Sequence, residues 1–386
     1  MDSSNKLFLL DAYALIYRAY YAFIKNPRIN SKGFNTSAIL GFVNTLEEVL
    51  KKENPTHIGV AFDPAGPTFR HEAFEQYKAQ REETPEAIRL SVPIIKDIIR
   101  AYHIPILEVA GYEADDVIGT LATEAGRQGI TTYMMTPDKD YGQLVSDKVF
   151  MYRPKHTGGF EVMGVEEVKA KFDIQSPAQV IDMLGLMGDS SDNIPGCPGV
   201  GEKTAQKLIS EFGSIENLLE HTDQLKGALK TKVETNREMI TFSKFLATIK
   251  IDVPIQLEMD SLVREEADED SLRSIFEELE FRTLIDRVLK KEVSGNGITS
   301  TPGSKVATGK SAPSPLPLFP EEGGGIQGDL FANFTPNEPN EAKKSNLETL
   351  GSQPHNYQLI DTENKRREII QKLLTSKILS LDTETT

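Results

Sequence analysis

Acidic residues recur in this chain where strand-like apolar runs end. LFLLD stops at Asp11, IGVAFD at Asp63, and TYMMTPDKD carries Asp138 and Asp140. In an open parallel sheet the carboxyl ends of the strands face one crevice, where such folds bind ligands, so these four acids are expected to converge. Two further groups fall on stretches read as helical. In GYEADDVIG, Glu113, Asp115 and Asp116 open a helix, and in MGDSSDNIPG the i, i+3 spacing of Asp189 and Asp192 puts both carboxylates on one helix face. A single aspartate after a strand is better read as turn chemistry. The whole set points elsewhere, because so many carboxylates in one cleft repel unless cations join them, and oxygen-only ligation suits magnesium or manganese. The chemistry implied is two-metal phosphodiester hydrolysis, with cations roughly 3.5 to 4 Å apart that activate water and stabilise the attacking and leaving oxygens.

Just after Asp192 comes IPGCPGVGEKTAQKLI, in which Gly196, Gly199, Val200 and Gly201 form a turn that enters a helix near Lys203 and Thr204. Exposed N–H groups at a helix N-terminus hold phosphate oxygens without reading sequence, and glycine lets a nucleic-acid backbone come close. A helical reading of TFRHEAFEQYKAQREE sets Arg70, Lys78 and Arg81 within roughly 80° of one another, with Glu72, Glu75, Glu82 and Glu83 turned away. Tyr77, beside Lys78, either stacks on a base or packs inside.

The elements that must position these residues change character along the chain. Through about residue 175 short apolar runs (Leu7 to Leu10, Ile58 to Phe62, Thr131 to Met135) alternate with amphipathic stretches (Ser37 to Lys52, Pro85 to Tyr102), the pattern of an α/β unit with a mainly parallel sheet. From about 176 to 290 the helical period takes over at Ala178 to Met187, Ala205 to Phe212, Met239 to Leu246 and Leu272 to Leu289, which predicts a helical domain. Residues 291 to 355 are rich in Gly, Ser, Pro, Asn and Lys and read as a flexible linker. A new pattern begins near Asn356 with a helix over Asn364 to Thr375, the strand Ile378 to Leu381 and then Asp382-Thr383-Glu384, so the chain is expected to be the front part of something longer.

Composition narrows the function. No segment of the 386 residues approaches the roughly 18 apolar residues of a membrane span, and the start lacks the pattern of a signal peptide, so a cytoplasmic location is expected. One cysteine, Cys197, excludes an internal disulfide and a cysteine-cluster zinc site, and six scattered histidines offer no ligand spacing. The net charge of −15 argues against a protein that coats nucleic acid, so any basic surface has to be local.

With the motifs assembled, FRHEAFEQYKAQR, GYEADDVIGTLA, TPDKDYGQLV and GDSSDNIPGCPGVGEKTA, the chain resembles the N-terminal 5′ nuclease domains of bacterial DNA polymerases I, relatives of the flap endonucleases, over about residues 5 to 290. The resemblance implies a PIN-like fold, a mainly parallel sheet with helices on both faces, followed by a helix-hairpin-helix domain. It implies that Asp11, Asp63, Glu113, Asp115, Asp116, Asp138, Asp140, Asp189 and Asp192 hold two Mg2+ or Mn2+ ions, the last two acids serving the second. Arg70, Lys78 and Arg81 match arch residues that contact the phosphate to be cut, and Gly196 to Thr204 match the hairpin that holds duplex and often K+ through backbone carbonyls. In the linker, Gln327, Leu330 and Phe331 resemble a Q-x-x-L-F sliding-clamp peptide, and LPLF at Leu316 to Phe319 is a partial copy. Asp382 and Glu384 look like the first motif of a 3′ to 5′ exonuclease, incomplete here. The activity implied is removal of 5′ flaps or RNA primers from nicked or branched duplex by a monomeric, nucleoid-associated bacterial enzyme. The rivals are a single-metal ribonuclease and a non-catalytic DNA-binding module.

Overall fold

The computed structural model describes residues 5–155 and 159–289, with Lys365 and Arg367 beyond them. The linker motifs and the Asp382–Glu384 motif lie outside the described residues. The chain enters as β1 (Lys6–Asp11), whose Leu7, Phe8, Leu9 and Leu10 are fully buried, as a strand covered on both faces requires. It runs straight into α1 (Ala12–Ala22), then α2 (Ser37–Glu48), which widens into a π-type turn through Glu53. Next come β2 (His57–Ala61), the short α3 (Phe69–Ala73), α4 (Glu86–Ala101), β3 (Ile106–Leu107), α5 (Ala114–Arg127) and β4 (Thr131–Met135). A 3-10 turn at Lys139–Leu144 precedes β5 (Val149–Pro154), β6 (Phe160–Met163) and α6 (Val165–Phe172). Helices then follow without strands: α7 (Gln179–Met187), α8 (Glu202–Phe212), α9 (Ile215–Glu220), α10 (Gly227–Thr235), α11 (Arg237–Ala247) and α12 (Glu269–Glu278).

The sheet order is β3-β2-β1-β4-β5-β6, parallel throughout except for β6. The chain steps from β1 outward to β2 and β3 and then crosses back to β4 on the other side of β1, so β1 borders the switch point and a crevice opens at its carboxyl end. Register completes the placement: Leu10 lies opposite Met135 of β4, and Asp11 opposite Ala61 of β2.

Period-two alternation sends Phe8 and Leu10 to one face and Leu7 and Leu9 to the other. The first face packs on Leu15, Ile39, Phe42, Ile95 and Ile99 of α1, α2 and α4, and the second on Val117, Ile118 and Leu121 of α5. Each such side chain contributes about 1.5–3 kcal/mol on full burial. The core under α5 runs on into Met183 and Leu184 of α7, Leu208 of α8 and Leu246 of α11. The stretch from Leu272 onward packs elsewhere: Leu272, Phe276 and Leu284 join the opposite core beside α2 and α4, and Asp268 N–H donates to the Ala101 carbonyl. Apolar spacing shows that a helix face is buried but not against what, so these last helices read like the others in the sequence.

Candidate metal centre and nucleic-acid interface

Asp11 ends β1 and caps α1, its Oδ1 accepting from Ala14 N–H at 3.1 Å. Its Oδ2 accepts from the hydroxyls of Tyr141 at 3.1 Å and Thr136 at 3.3 Å, which fixes the carboxylate at the crevice floor. Burial, and then the charge of Asp63, push its pKa up to about 7. Asp63 follows β2 and accepts Ala114 N–H at 2.7 Å, so it sits at the start of α5, where the helix dipole favours negative charge. Glu113, Asp115 and Asp116 crowd the same helix start and offer oxygens that all lie within 4.8 Å of one another. Across the floor, Asp138 accepts Asp140 N–H at 3.0 Å within the turn after β4.

Asp189 and Asp192 are not on a helix. Gly188 and Gly196, at φ +74° and +62°, lie back to back, and an Asp189–Ile194 bridge closes the loop between them. A Cβ on Gly196 would lie 2.3 Å from Gly188 N, so glycine is needed here for internal packing before any ligand approaches. The loop turns Asp189 onto Lys139 Nζ at 2.8 Å and Asp192 onto Arg81 at 2.5 Å and the Tyr77 hydroxyl at 3.0 Å. Repulsion links acids across the cleft: the charge of Asp138 acts on Asp11, and that of Asp192 on Glu113.

The segment expected to be one basic helix is helical only over α3; Phe74 is extended and Lys78 is left-handed at φ +56°. Its three cations therefore do not share a face. Arg70, 1% exposed, is no surface contact for a phosphate. Its guanidinium donates to both oxygens of Asp116 at 2.8 Å, to Glu113 at 2.8 Å and to the carbonyls of Leu246 and Thr248 at 2.9 Å. Tyr77, 3% exposed, has no face for a base to stack on, and its hydroxyl lies between Glu113 and Asp192, 3.0 Å from an oxygen of each and able to donate to either. Lys78, at the rim, reaches Glu113 at 2.7 Å. Against the upward push of burial, Lys78 and Arg70 hold Glu113 below its ordinary range, and Lys78 and Arg81 do the same for Asp192.

The donor set fits hard divalent cations. Burial and then mutual repulsion hold Asp115 and Asp140 well above the usual carboxylate range, and burial raises Asp138. Asp140 Oδ1 is buried with no hydrogen-bond partner, an acceptor aimed at something other than protein. Asp116 is the least available: Arg70 with Lys250 N–H and Glu113 N–H occupies all four of its acceptor positions. Asp115 keeps 24% of its side chain exposed. Sequence reading missed Tyr141, Thr136 and Lys139 as partners of the acids, although all three lie inside TPDKDY.

The glycine turn keeps its expected form. Gly199 is at φ +76°, Val200 is buried, and Gly201 caps α8 with open space where a Cβ would stand, beside exposed Lys203 and half-buried Thr204. Lys232 of α10 donates to the Gly199 carbonyl at 3.3 Å. None of the described helices is long and apolar enough to cross a membrane.

A switch-point cleft of carboxylates flanked by a helical unit with an open glycine turn belongs to the α/β nucleases. Two family descriptions match in tandem: the N-terminal resolvase-like domain of 5′-3′ exonucleases over residues 6–173, and their C-terminal SAM-fold domain over 175–270. The chain belongs to the 5′-3′ exonuclease family. It is 41% identical over 287 residues to DNA polymerase I of Bacillus caldotenax, covering 74% of this chain and 32% of that protein. With DNA polymerase I of Bacillus subtilis (strain 168) it is 43% identical over 291 residues, covering 75% and 33%. The chain thus spans about a third of the length of these relatives. A solved structure of T5 5′-exonuclease with bound zinc shares the fold, at a TM-score of 0.52 and 22% identity over 72% of this chain and 99% of that one.

Proposed function

We propose that this chain is the 5′ nuclease part of a DNA polymerase I, cutting 5′ flaps and RNA primers from branched or nicked duplex during replication and repair. The observation that carries the reading is the nine carboxylates gathered at the switch point, among them the buried, unpartnered Asp140 Oδ1. Asp11, Asp63, Glu113 and Asp115 on one side and Asp138, Asp140, Asp189 and Asp192 on the other are the residues that would hold two Mg2+ or Mn2+ ions. When bound, such ions supply a nucleophilic water near neutral pH and neutralise charge on the attacking and leaving oxygens. Asp116 supports the first group from behind, its oxygens committed to Arg70. Lys78 and Arg81 stand at the rim beside Glu113 and Asp192, where an entering phosphodiester would meet them, and they stabilise the charge that grows on it during cleavage. Tyr77 orients Glu113 and Asp192.

The turn from Gly196 to Thr204 holds the duplex backbone at the start of α8, through main-chain N–H groups and Lys203. A K+ ion at the turn carbonyls is the finer part of this reading, as are a monomeric enzyme at the bacterial nucleoid and docking of Gln327, Leu330 and Phe331 on a sliding clamp. Polymerase activity would belong to the longer parent. The test is incubation of a 5′-flap duplex, a blunt duplex and single-stranded RNA with Mg2+, repeated with Asp115→Asn and Asp138→Asn. Cutting near the flap junction, lost in both variants while DNA binding persists, is expected. Cutting of RNA alone, or binding with no cutting under any metal, overturns the proposal in favour of the ribonuclease or the binding module.

A further inference from the structure

Behind the acids runs a segment to which no role has been given. Residues 246–253 leave the end of α11 and lie flat along α5. Gly119 lets them approach: a Cβ there would stand 2.7 Å from Ile249 Cγ2 and 3.3 Å from the Lys250 carbonyl. The strap is fastened to both groups of acids. Toward the first, Lys250 N–H donates to Asp116 at 2.7 Å, Arg70 links the Leu246 and Thr248 carbonyls to Asp116 and Glu113, and Val253 N–H reaches Thr120 of α5 at 3.2 Å. Toward the second, Gln143 uses both ends of its amide. Its Nε2 donates to the Asp140 carbonyl at 2.9 Å and the Ala247 carbonyl at 3.0 Å, and its Oε1 accepts Ile249 N–H at 2.8 Å. One turn earlier the same helix also holds the glycine turn, where Gly196 N–H donates to Ser243 at 2.9 Å.

We propose that Gln143 and Arg70 are positioning residues that tie both acid groups to one strap, residues 246–253, so that the strap sets the spacing at which the acids meet their cations. The acids that the strap touches stand on separate elements, Glu113 and Asp116 at the start of α5 and Asp140 in the turn after β4. A single segment bonded to both holds one against the other. Asp116 is then a relay between strap and helix, which accounts for its saturated oxygens. Partners behind metal ligands typically govern affinity by roughly 10- to 100-fold. This inference rests on the nuclease reading for its metal, though not for its geometry.

The experiment uses the full chain. Mn2+ binding is followed by calorimetry and by the Mn2+-dependent rise in melting temperature, and flap cleavage is measured against Mg2+ concentration. Gln143→Leu, which keeps the side chain's bulk and removes all three bonds, should weaken Mn2+ binding by roughly 10- to 100-fold and raise the half-maximal Mg2+ concentration alike. The KM for flap DNA at saturating metal should stay unchanged. Gly119→Ala keeps every polar group and lifts the strap, so it should shift metal affinity in the same direction; it decides the matter if Gln143→Leu does not fold. A lower melting temperature with unchanged Mn2+ affinity in a folded variant overturns the inference, and so does a raised KM alone. Failure of the unaltered protein to cut flaps overturns the proposed function instead, and the Mn2+ titration still judges the strap.

Discussion

Arg70 separates two accounts of the basic segment, one in which it meets the substrate and one in which it holds the acids. Arg70→Met keeps most of the side chain's volume and removes five donated bonds, leaving fully buried Asp116 without its counter-charge and Glu113 with Lys78 alone. Removing one partner of a buried ion pair costs about 3–5 kcal/mol, because the charge left behind is neither solvated nor paired. For a unit of this size each 1 kcal/mol lowers the melting temperature by about 2–4 °C, so a fall of about 6–20 °C is expected in metal-free buffer. Adding Asp116→Asn should recover part of it, since the second change removes the stranded charge, and the double-mutant cycle measures how much belongs to the pair. The assay is thermal unfolding in a chelator, followed by calorimetry for the cycle. A melting temperature within about 2 °C of the parent, which corresponds to under about 1 kcal/mol, together with a raised KM for flap DNA, would refute the reasoning and return Arg70 to the substrate.

Arg81→Met is expected to lower single-turnover cleavage by about 10²- to 10³-fold at saturating metal while leaving the melting temperature nearly unchanged, because Arg81 is exposed; Lys78→Met should lower both, since it strands the buried Glu113 carboxylate. Gly196→Ala forces a Cβ to 2.3 Å from Gly188 N at φ +62°, and should cost more than about 2 kcal/mol in denaturant unfolding and abolish metal-independent duplex binding measured by anisotropy. Without metal, stability should fall as pH rises from about 4 to about 7. Asp11 is raised from 3.8 to about 7, and Asp63, Asp115, Asp138 and Asp140 are raised with it, so the folded chain holds protons that the unfolded chain has released. Their contribution is full below about pH 4 and lost as pH climbs through the folded values; melting curves in chelator that rise over this window would contradict it.

The strands and the acids at their ends were legible because buried parallel strands leave continuous apolar runs, and LFLLD, IGVAFD and TYMMTP each show one. Glu113 to Asp116 were legible as a helix start for an equally local reason. The basic segment was not. Helical periodicity in TFRHEAFEQYKAQREE is satisfied on paper, yet the backbone leaves the helix at Phe74 because Arg70, Tyr77 and Lys78 each have a carboxylate partner far away in sequence. Long-range ion pairs leave no period. The i, i+3 spacing of Asp189 and Asp192 misled in the same way, since two glycines stacked across the loop, not a helical turn, bring that pair to the cleft. Gln143 and the strap carry no signal in one sequence, because a glutamine that bonds three main-chain groups looks like any surface glutamine.

The acidic total of the chain and the DNA binding proposed for it are reconciled at the site itself. Nine carboxylates stand with four cations, Arg70, Lys78, Arg81 and Lys139, which leaves a formal surplus of five negative charges when all are ionised. Two divalent cations, as proposed, would reduce that surplus to one. A phosphodiester brings a further negative charge to a site that still leans negative, so attraction must come from where it enters. Lys78 and Arg81 line the rim, and Lys203 flanks the turn at the start of α8, which puts positive charge along the approach and negative charge at the floor. On the proposed function the floor would select the cations, and the rim with the turn would select the substrate. Neutralising the rim should weaken capture of flap DNA with a reduced salt dependence, whereas neutralising a floor acid should leave capture intact and abolish cutting.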